Sequence, residues 1–375
     1  MKEILDRLES WIAEGKEVAT ATVIAVERSA PRDPGAVLAV TTDMEVAGSV
    51  SGGCVEGAVI DEALEVIRTG RPRRLTYGIA DEDAFAVGLS CGGTVHIFVE
   101  PPGWLKSGIF TALARAIRAE RPAALATETA GPNPGAQLLV SPDASLGTLG
   151  SPELDAAVTA DAREALAEGD TAAARRYEAL PGGEPVEIFI DPFVPPPLMY
   201  VFGATDHATA VVRIGKFLGY RVVLCDARAA LATRERFPDA DQLEVRWPDE
   251  FLATAPVDRR TVMCILTHDP KFEIPLLKVA LGTPARYIGA LGSRRTHEAR
   301  TRKLADAGFL PEEVARVRAP IGLDIGACTP AEVAVAIAAE IIALRNGRPG
   351  GFLARVPGAS RTEERARPRI AEPGR

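Results

Sequence analysis

The chain has 375 residues, 47% hydrophobic and 25% charged, with a formal net charge of −8. That length exceeds what one average core organises, so two or three domains are expected. The acidic balance excludes an extended nucleic-acid surface, which needs a basic face to displace counterions.

Ile4, Leu5, Leu8, Trp11 and Ile12 recur at helical spacing, so the chain opens on an amphipathic helix. Glu3 and Asp6 interrupt it too early for a signal peptide. The five cysteines are scattered and odd in number, which fits a reducing compartment and not a disulfide scaffold. The most apolar stretch, residues 331–344, carries Glu332 and Glu340 and is shorter than a bilayer crossing. A cytoplasmic protein with no membrane and no nucleic-acid partner is the expectation.

The first half of the chain contains a weak internal duplication. Pro34-Gly-Ala-Val-Leu-Ala-Val-Thr-Thr-Asp43 aligns with Pro134-Gly-Ala-Gln-Leu-Leu-Val-Ser-Pro-Asp143. A predicted helix over 58–70 matches one over 157–169, and Val95-His-Ile-Phe-Val-Glu-Pro101 matches Val186-Glu-Ile-Phe-Ile-Asp-Pro192. Each copy reads strand, strand, helix, strand, and the copies are expected to pack as halves of one α+β layer. Asp191-Pro-Phe-Val-Pro-Pro-Pro197 then breaks the pattern with a stiff linker.

Beyond the linker, strands and helices alternate, the mark of a parallel sheet. Strands are predicted over 198–204, 221–226, 261–267 and 286–291, with a helix over 206–218. Thr329-Pro-Ala-Glu332 is a capping box that opens a helix apolar on nearly every side, and such a helix is expected to be buried. The reading is therefore α/β: a duplicated α+β domain (1–191), a linker (192–197), a Rossmann-like parallel-sheet domain (198–347) and a flexible tail (348–375).

The duplication supplies an internal control. In the first copy the turn before the helix is Gly48-Ser-Val-Ser-Gly-Gly-Cys-Val-Glu56, and in the second it is Gly147-Thr-Leu-Gly-Ser-Pro-Glu-Leu-Asp155. The first copy enters its last strand through Ser90-Cys-Gly-Gly93, where the second has Leu180-Pro-Gly-Gly183. Scaffolding does not account for Cys54 and Cys91, because the sister copy builds the same framework without them. Ser51, Gly52, Gly53 and Cys54 sit where a strand hands over to a helix. Glycines there admit positive φ, and a helix start offers unpaired amides and partial positive charge, which suit an anion and a thiolate. Cys91, Gly92 and Gly93 form the second such loop. The cysteines could ligate a soft metal, accept a persulfide sulfur or simply fill core space, and no close Cys-x-x-Cys pair suggests zinc. Arg32, on a turn between strands, could reach a phosphate or merely face water.

In the second domain, Gly203-Ala-Thr-Asp-His207 follows a strand and opens a helix, and Asp226 ends the next strand where a ribose-binding carboxylate would sit. This suggests NAD(P) or another nucleotide, although Thr205 replaces the second glycine of the fingerprint and Asp206 brings negative charge beside it. Asp226 and Arg228, His268 and Asp269, Ser293, Arg294 and Arg295, and Asp324 all fall near strand ends, where such sheets bind ligands. Arg294 and Arg295 beside a serine at a helix start resemble a phosphate cradle.

Taken together, Gly48–Glu56, Cys91-Gly-Gly93, Thr267-His-Asp269, Ile288-Gly-Ala-Leu-Gly-Ser-Arg-Arg-Thr296, Pro320-Ile-Gly-Leu-Asp-Ile-Gly326 and Thr329-Pro-Ala-Glu332 resemble the XdhC/CoxI family over nearly the whole chain. That family comprises accessory proteins of xanthine dehydrogenase and related molybdenum hydroxylases. The resemblance implies a chaperone that binds molybdenum cofactor (molybdopterin), protects it during sulfuration and inserts it into an apo molybdenum hydroxylase of the xanthine or CO dehydrogenase type. It further implies a homodimer, with a cysteine desulfurase as a second partner. Cys54 and Cys91 become the cofactor-handling candidates, with Ser51, Gly52, Gly53, Glu56, Gly92 and Gly93 around them. The competing reading is an NAD(P)-dependent oxidoreductase built on Gly203 and Asp226, with His268 and Asp269 available for proton transfer.

Overall fold

The computed structural model describes residues 1–28, 30–78, 93–169, 171–177 and 185–352. The described residues form two compact units, residues 1–195 and 196–352.

In the first unit α1 (Leu5–Ala13) buries Leu5, Leu8 and Trp11. The first copy then runs β1 (Val18–Glu27), β2 (Val37–Thr41), β3 (Val46–Gly48), α2 (Glu56–Thr69), β4 (Arg73–Tyr77) and β5 (Thr94–Glu100). After α3 (Gly108–Arg118) the second copy repeats the series as β6 (Ala123–Ala130), β7 (Gln137–Val140), β8 (Ser145–Gly147), α4 (Pro152–Glu168), β9 (Ala173–Tyr177) and β10 (Val186–Phe193). Each copy closes a five-stranded antiparallel sheet, in the orders β3-β2-β1-β5-β4 and β8-β7-β6-β10-β9. The backbone keeps the duplication even at single residues. Gly48 and Gly147 both have positive φ, and a Cβ on either would collide with a carbonyl oxygen, of Val37 or of its counterpart Gln137.

The expectation of strand, strand, helix, strand in one layer is corrected in two respects. Each copy has two further strands, and the copies form two sheets. β3 and β8 are three residues long, too short for an alternation to register. The segments Arg73-Arg-Leu-Thr-Tyr77 and Ala173-Ala-Arg-Arg-Tyr177 are polar because they form charged sheet edges, which discourage pairing with another chain.

Two sheets are required because both faces of each are apolar. On the first, Ala19, Ala21, Val23, Ile97 and Val99 pack under α2, while Ile24 and Phe98 on the opposite face meet Ala172 and Phe189 of the second. On the second sheet, Ala124, Ala126, Ile188 and Ile190 pack under α4. The layering is thus helix, sheet, sheet, helix. Polar contacts cross the inner seam: Arg74 pairs with Glu187 at 2.8 Å, and Gln137 donates to Glu100 at 2.7 Å.

In the second unit the strands are β11 (Leu198–Phe202), β12 (Arg221–Cys225), β13 (Gln242–Glu244), β14 (Val262–Ile265), β15 (Tyr287–Ala290) and β16 (Val317–Arg318). They pair in parallel in the order β13-β12-β11-β14-β15-β16. Helices α5 (Asp206–Phe217), α6 (Pro248–Leu252), α7 (Pro270–Leu281), α8 (Arg294–Asp306), α9 (Pro311–Val314) and α10 (Pro330–Arg345) cover both faces. The Rossmann-like expectation holds for this sheet, and β13 and β16 went unseen because they are short. The capping box at Thr329 and Glu332 forms as expected. The burial expected of α10 is corrected. It packs Ala334, Ile337 and Ile341 against α5 and the sheet, yet Val335 is 50% and Ile342 37% exposed.

Glu100 and Asp191 occupy equivalent places in the two copies, and both line a small cavity between the sheets with Thr22, Thr127 and Trp104. Burial pushes the Glu100 carboxyl up to about 8, against the opposing hydrogen bond from Gln137. Burial likewise raises Asp191 to about 7, opposed by the amino group of Met1. A carboxyl whose folded value is raised gives its stability at low pH and loses it as pH climbs through that value. Thermal melts from pH 5 to 9 are expected to show a wild-type midpoint that falls with pH and a flatter fall in Glu100→Gln, which keeps the acceptor for Gln137. An identical slope in the variant would remove Glu100 as the cause.

Candidate functional site

The antiparallel order of the first sheet brings the end of β1, the start of β2, the end of β3, the end of β4 and the start of β5 to one edge, where α2 also begins. Arg32, the turn before α2 and the residue entering β5, Gly93, therefore gather at that edge. Cys91 and Gly92 lie outside the described residues. Gly52 and Gly53 both have positive φ and are exposed, and the Cβ position of Gly52 lies 3.7 Å from Pro31. Cys54 is half-buried and packs its sulfur-bearing side chain against the α2 core cluster.

Glu56 organises this turn. Its carboxylate accepts from Ser49 Oγ at 2.6 Å, from the Ser51 amide at 2.9 Å, from the Gly53 amide at 2.8 Å and from Ser51 Oγ. Ser49 Oγ in turn accepts the Gly52 amide at 2.9 Å, and Ser51 Oγ accepts the Val55 amide at 2.9 Å. Burial works against the charge, but the hydrogen bonds from Ser49 and Ser51 outweigh it and hold Glu56 at about 2. This corrects the expectation of unpaired amides awaiting an anion. The amides of Ser51, Gly52, Gly53 and Val55 already have partners within the turn.

The sister copy shows that the brace is scaffolding. Asp155, the counterpart of Glu56, accepts from Thr148 Oγ1 and from the Leu149 amide, each at 2.7 Å, and Thr148 Oγ1 accepts the Gly150 amide at 3.1 Å. Glu56 and Ser49, matched by Asp155 and Thr148, therefore belong to the framework that both halves need, whereas Ser51 faces Gly150 in the alignment and is peculiar to the first copy. What distinguishes the first turn is the open Gly52-Gly53 pair followed by Cys54, where the second has Ser151-Pro152 followed by Glu153. Arg32 stands beside it. It donates from Nε to the Ser49 carbonyl at 3.4 Å and from Nη2 to Glu3 at 3.1 Å. Glu3 is 75% exposed, so that ion pair is weak and an incoming anion can replace it.

The parallel strands of the second unit bring Gly203, Asp226, Arg228, His268, Asp269, Ser293, Arg294 and Arg295 to one rim. β12 and β14 flank β11, which places the topological switch point between β11 and β14. Gly203 has φ +106°, and a Cβ there would lie 2.8 Å from the Thr267 amide nitrogen, so the two loops close on each other. Asp226 does not present a free carboxylate for a ribose. It is 2% exposed and accepts from the Ala204 amide at 2.7 Å and from Arg228 through its amide, Nε and Nη2 at 2.6–2.9 Å. Asp226 braces the first loop of this unit much as Glu56 braces the turn in the other.

Asp269 caps α7 by accepting the Lys271 amide at 3.1 Å, and His268 is exposed beside it. Ser293 caps α8, accepting the Thr296 amide at 3.2 Å, which leaves Arg294 and Arg295 exposed in the first turn. Arg300 anchors that helix from beneath, paired with Glu273 of α7 and donating to the Leu291 carbonyl at 2.8 Å; this buried pair gave no signal in the sequence. Asp324 is exposed on the segment leading to α10, and no described contact joins it to the other rim residues. Among the described residues no cluster of histidine, cysteine and carboxylate side chains could hold a metal ion.

Because the folded value of Glu56 is depressed, its contribution to stability is present above about pH 4.5, the ordinary glutamate value, and is lost as pH falls toward 2. Acid unfolding of Glu56→Gln is expected to lack that dependence, and Glu56→Ala is expected to cost on the order of 2–4 kcal/mol in denaturant melts at neutral pH. A Glu56→Ala protein as stable as wild type would contradict the brace.

Comparison with known proteins agrees with this arrangement. The model described as "XdhC and CoxI family" matches residues 11–78 and 116–178, one segment in each half of the duplicated unit, and the model described as "XdhC Rossmann domain" matches residues 199–341. The molybdenum cofactor insertion chaperone PaoD of Escherichia coli is 27% identical over 332 residues, covering 88% of this chain and 84% of PaoD. A Bacillus subtilis protein described as a probable component of xanthine dehydrogenase is 24% identical over 340 residues, covering 90% of this chain and 96% of that protein. A solved structure described as a xanthine dehydrogenase from Bacillus halodurans superposes with a TM-score of 0.64 at 25% identity, covering 94% of this chain and 98% of the other. With its duplicated first unit and its parallel-sheet second unit both matched, the chain belongs to the XdhC and CoxI family.

Proposed function

We propose that this protein is a chaperone that holds molybdenum cofactor and inserts it into an apo molybdenum hydroxylase of the xanthine dehydrogenase type. The observation that carries the reading is the asymmetry between the two halves. The same carboxylate brace supports both turns, but only the first turn carries an exposed pair of glycines, a half-buried cysteine and an adjacent arginine. The described residues fit such a guest. Cys54 offers a soft sulfur, Gly52 and Gly53 leave no side chain in the way of a planar ring, and Arg32 can exchange its exposed partner Glu3 for a phosphate. When bound, the cofactor would supply a sulfur-rich, anionic molybdenum centre. The chain's part is to hold it and shield it from water until transfer. Cys91, two residues before Gly93, is proposed as the second thiol of the same edge.

An NAD(P)-dependent oxidoreductase is the weaker reading, because Asp226 commits its hydrogen-bonding capacity to Ala204 and Arg228.

To test the proposal, the full chain is loaded with molybdenum cofactor and the pterin retained after gel filtration is measured by fluorescence. Wild type should retain it. Arg32→Ala and Cys54→Ala should each weaken retention by about ten-fold or more, the scale of one lost charge-assisted contact. Equal retention by wild type and Cys54→Ala, or none by wild type, would sink the proposal.

A further inference from the structure

The two copies start their helices at different places. In the alignment that pairs Glu56 with Asp155, α4 begins at Pro152, ahead of Asp155, whereas α2 begins at Glu56 itself. Gly53, Cys54 and Val55 therefore hold the positions of Pro152, Glu153 and Leu154 but lie outside the helix. The first copy lacks nearly one helical turn.

The second copy shows what winds that turn. Ser151 caps it, its Oγ accepting the Leu154 amide at 3.2 Å and its carbonyl accepting the Asp155 amide at 3.0 Å, and Pro152 is a favoured first helical residue. The first copy has Gly52 and Gly53 instead, at φ +71° and +115°, values that neither a helix nor a proline allows. A Cβ on Gly53 would meet nothing within 4 Å, so glycine is needed there for its conformation and not for space.

A glycine pair permits the unwound path without enforcing it, and Ser51 supplies the hold. Its side chain is 1% exposed, and its hydroxyl accepts the Val55 amide at 2.9 Å while donating to Glu56. The Glu56 carboxylate takes the Ser51 and Gly53 amides, and among the described residues no backbone bond joins the Glu56 amide to the Gly52 carbonyl. Gly150, the counterpart of Ser51, has no hydroxyl to offer. The consequence falls on position 54. Cys54 is half-buried against the α2 core cluster, whereas Glu153, at the same place on the wound turn, is exposed.

We propose that Ser51 is a positioning residue for Cys54: it holds residues 52–55 out of the helix and so seats Cys54 inward instead of on an exposed first turn. The proposal deepens the chaperone reading, on which its functional weight rests, but the placement of Cys54 is testable without cofactor.

The full chain is treated with iodoacetamide under native conditions, and the rate at Cys54 is read by peptide mass spectrometry, which separates it from the other cysteines. Ser51→Ala removes the hydroxyl. A triple variant, Ser51→Gly with Gly52→Ser and Gly53→Pro, installs the cap of the second copy, a segment the chain already folds. Cys54 should react about ten-fold faster in both, because it loses its inward seat. A purely stabilising role for Ser51 would leave the rate unchanged in the triple variant, where the new cap replaces the lost bond. A wild-type rate at Cys54 in either variant, measured well below its melting midpoint, overturns the proposal. Pterin retention is measured on the same proteins and should fall by about ten-fold or more in the triple variant. Faster alkylation with unchanged retention, or with none even in wild type, upholds the placement of Cys54 and sinks only the chaperone reading.

Discussion

An antiparallel sheet that is apolar on both faces needs a cover on each, and this one constraint shapes the first unit. Helix α2 covers one face of the first sheet and α4 one face of the second; the remaining faces meet through Ile24, Phe98 and Phe189 and pack with α1 and α3 through Val18, Val37, Leu125 and Leu139. Ile24 and Phe98 meet Phe189 and Ala172 in that seam. The same packing buries Glu100 and Asp191, and burial favours their neutral forms.

Duplication makes the two ends comparable by construction. A strand of three residues must turn sharply into a helix, and the amides freed at that turn need acceptors. Glu56 supplies them in one half and Asp155 in the other, so a carboxylate placed inside the first helical turn is a requirement of this connection rather than a sign of chemistry. Subtracting what the halves share leaves Ser51, Gly52, Gly53, Cys54 and Arg32. The distinction matters for reading mutations, since a change at Glu56 disturbs the turn itself, whereas a change at Cys54 removes a sulfur from an intact turn.

The second unit uses the same device. Asp226 ends a parallel strand where nucleotide-binding sheets place a carboxylate, yet it faces inward to the Ala204 amide and to Arg228. Exposed at this rim are Arg228, Lys271, Arg294, Arg295 and Trp247, with Arg228 paired to Asp226 and Lys271 to Asp269.

Sequence alone was enough to reveal the repeat, the parallel order of the second half and the capping box at Thr329, because each is written in local periodicity or in residues a few positions apart, whereas the stretch expected to be linker from Pro192 begins inside β10. The family motifs were equally local. The third and fourth strands of each repeat escaped notice because short or charged edge strands carry no apolar alternation, and α10 was expected to be buried because composition does not say which face has a partner. The partners of Glu56, the seat of Glu100 beside Gln137, the engagement of Asp226 and the exposure of Trp247 were decided only in three dimensions. A side chain's solvation and hydrogen bonds depend on what the fold brings to it from distant positions, and no local pattern of residues encodes that.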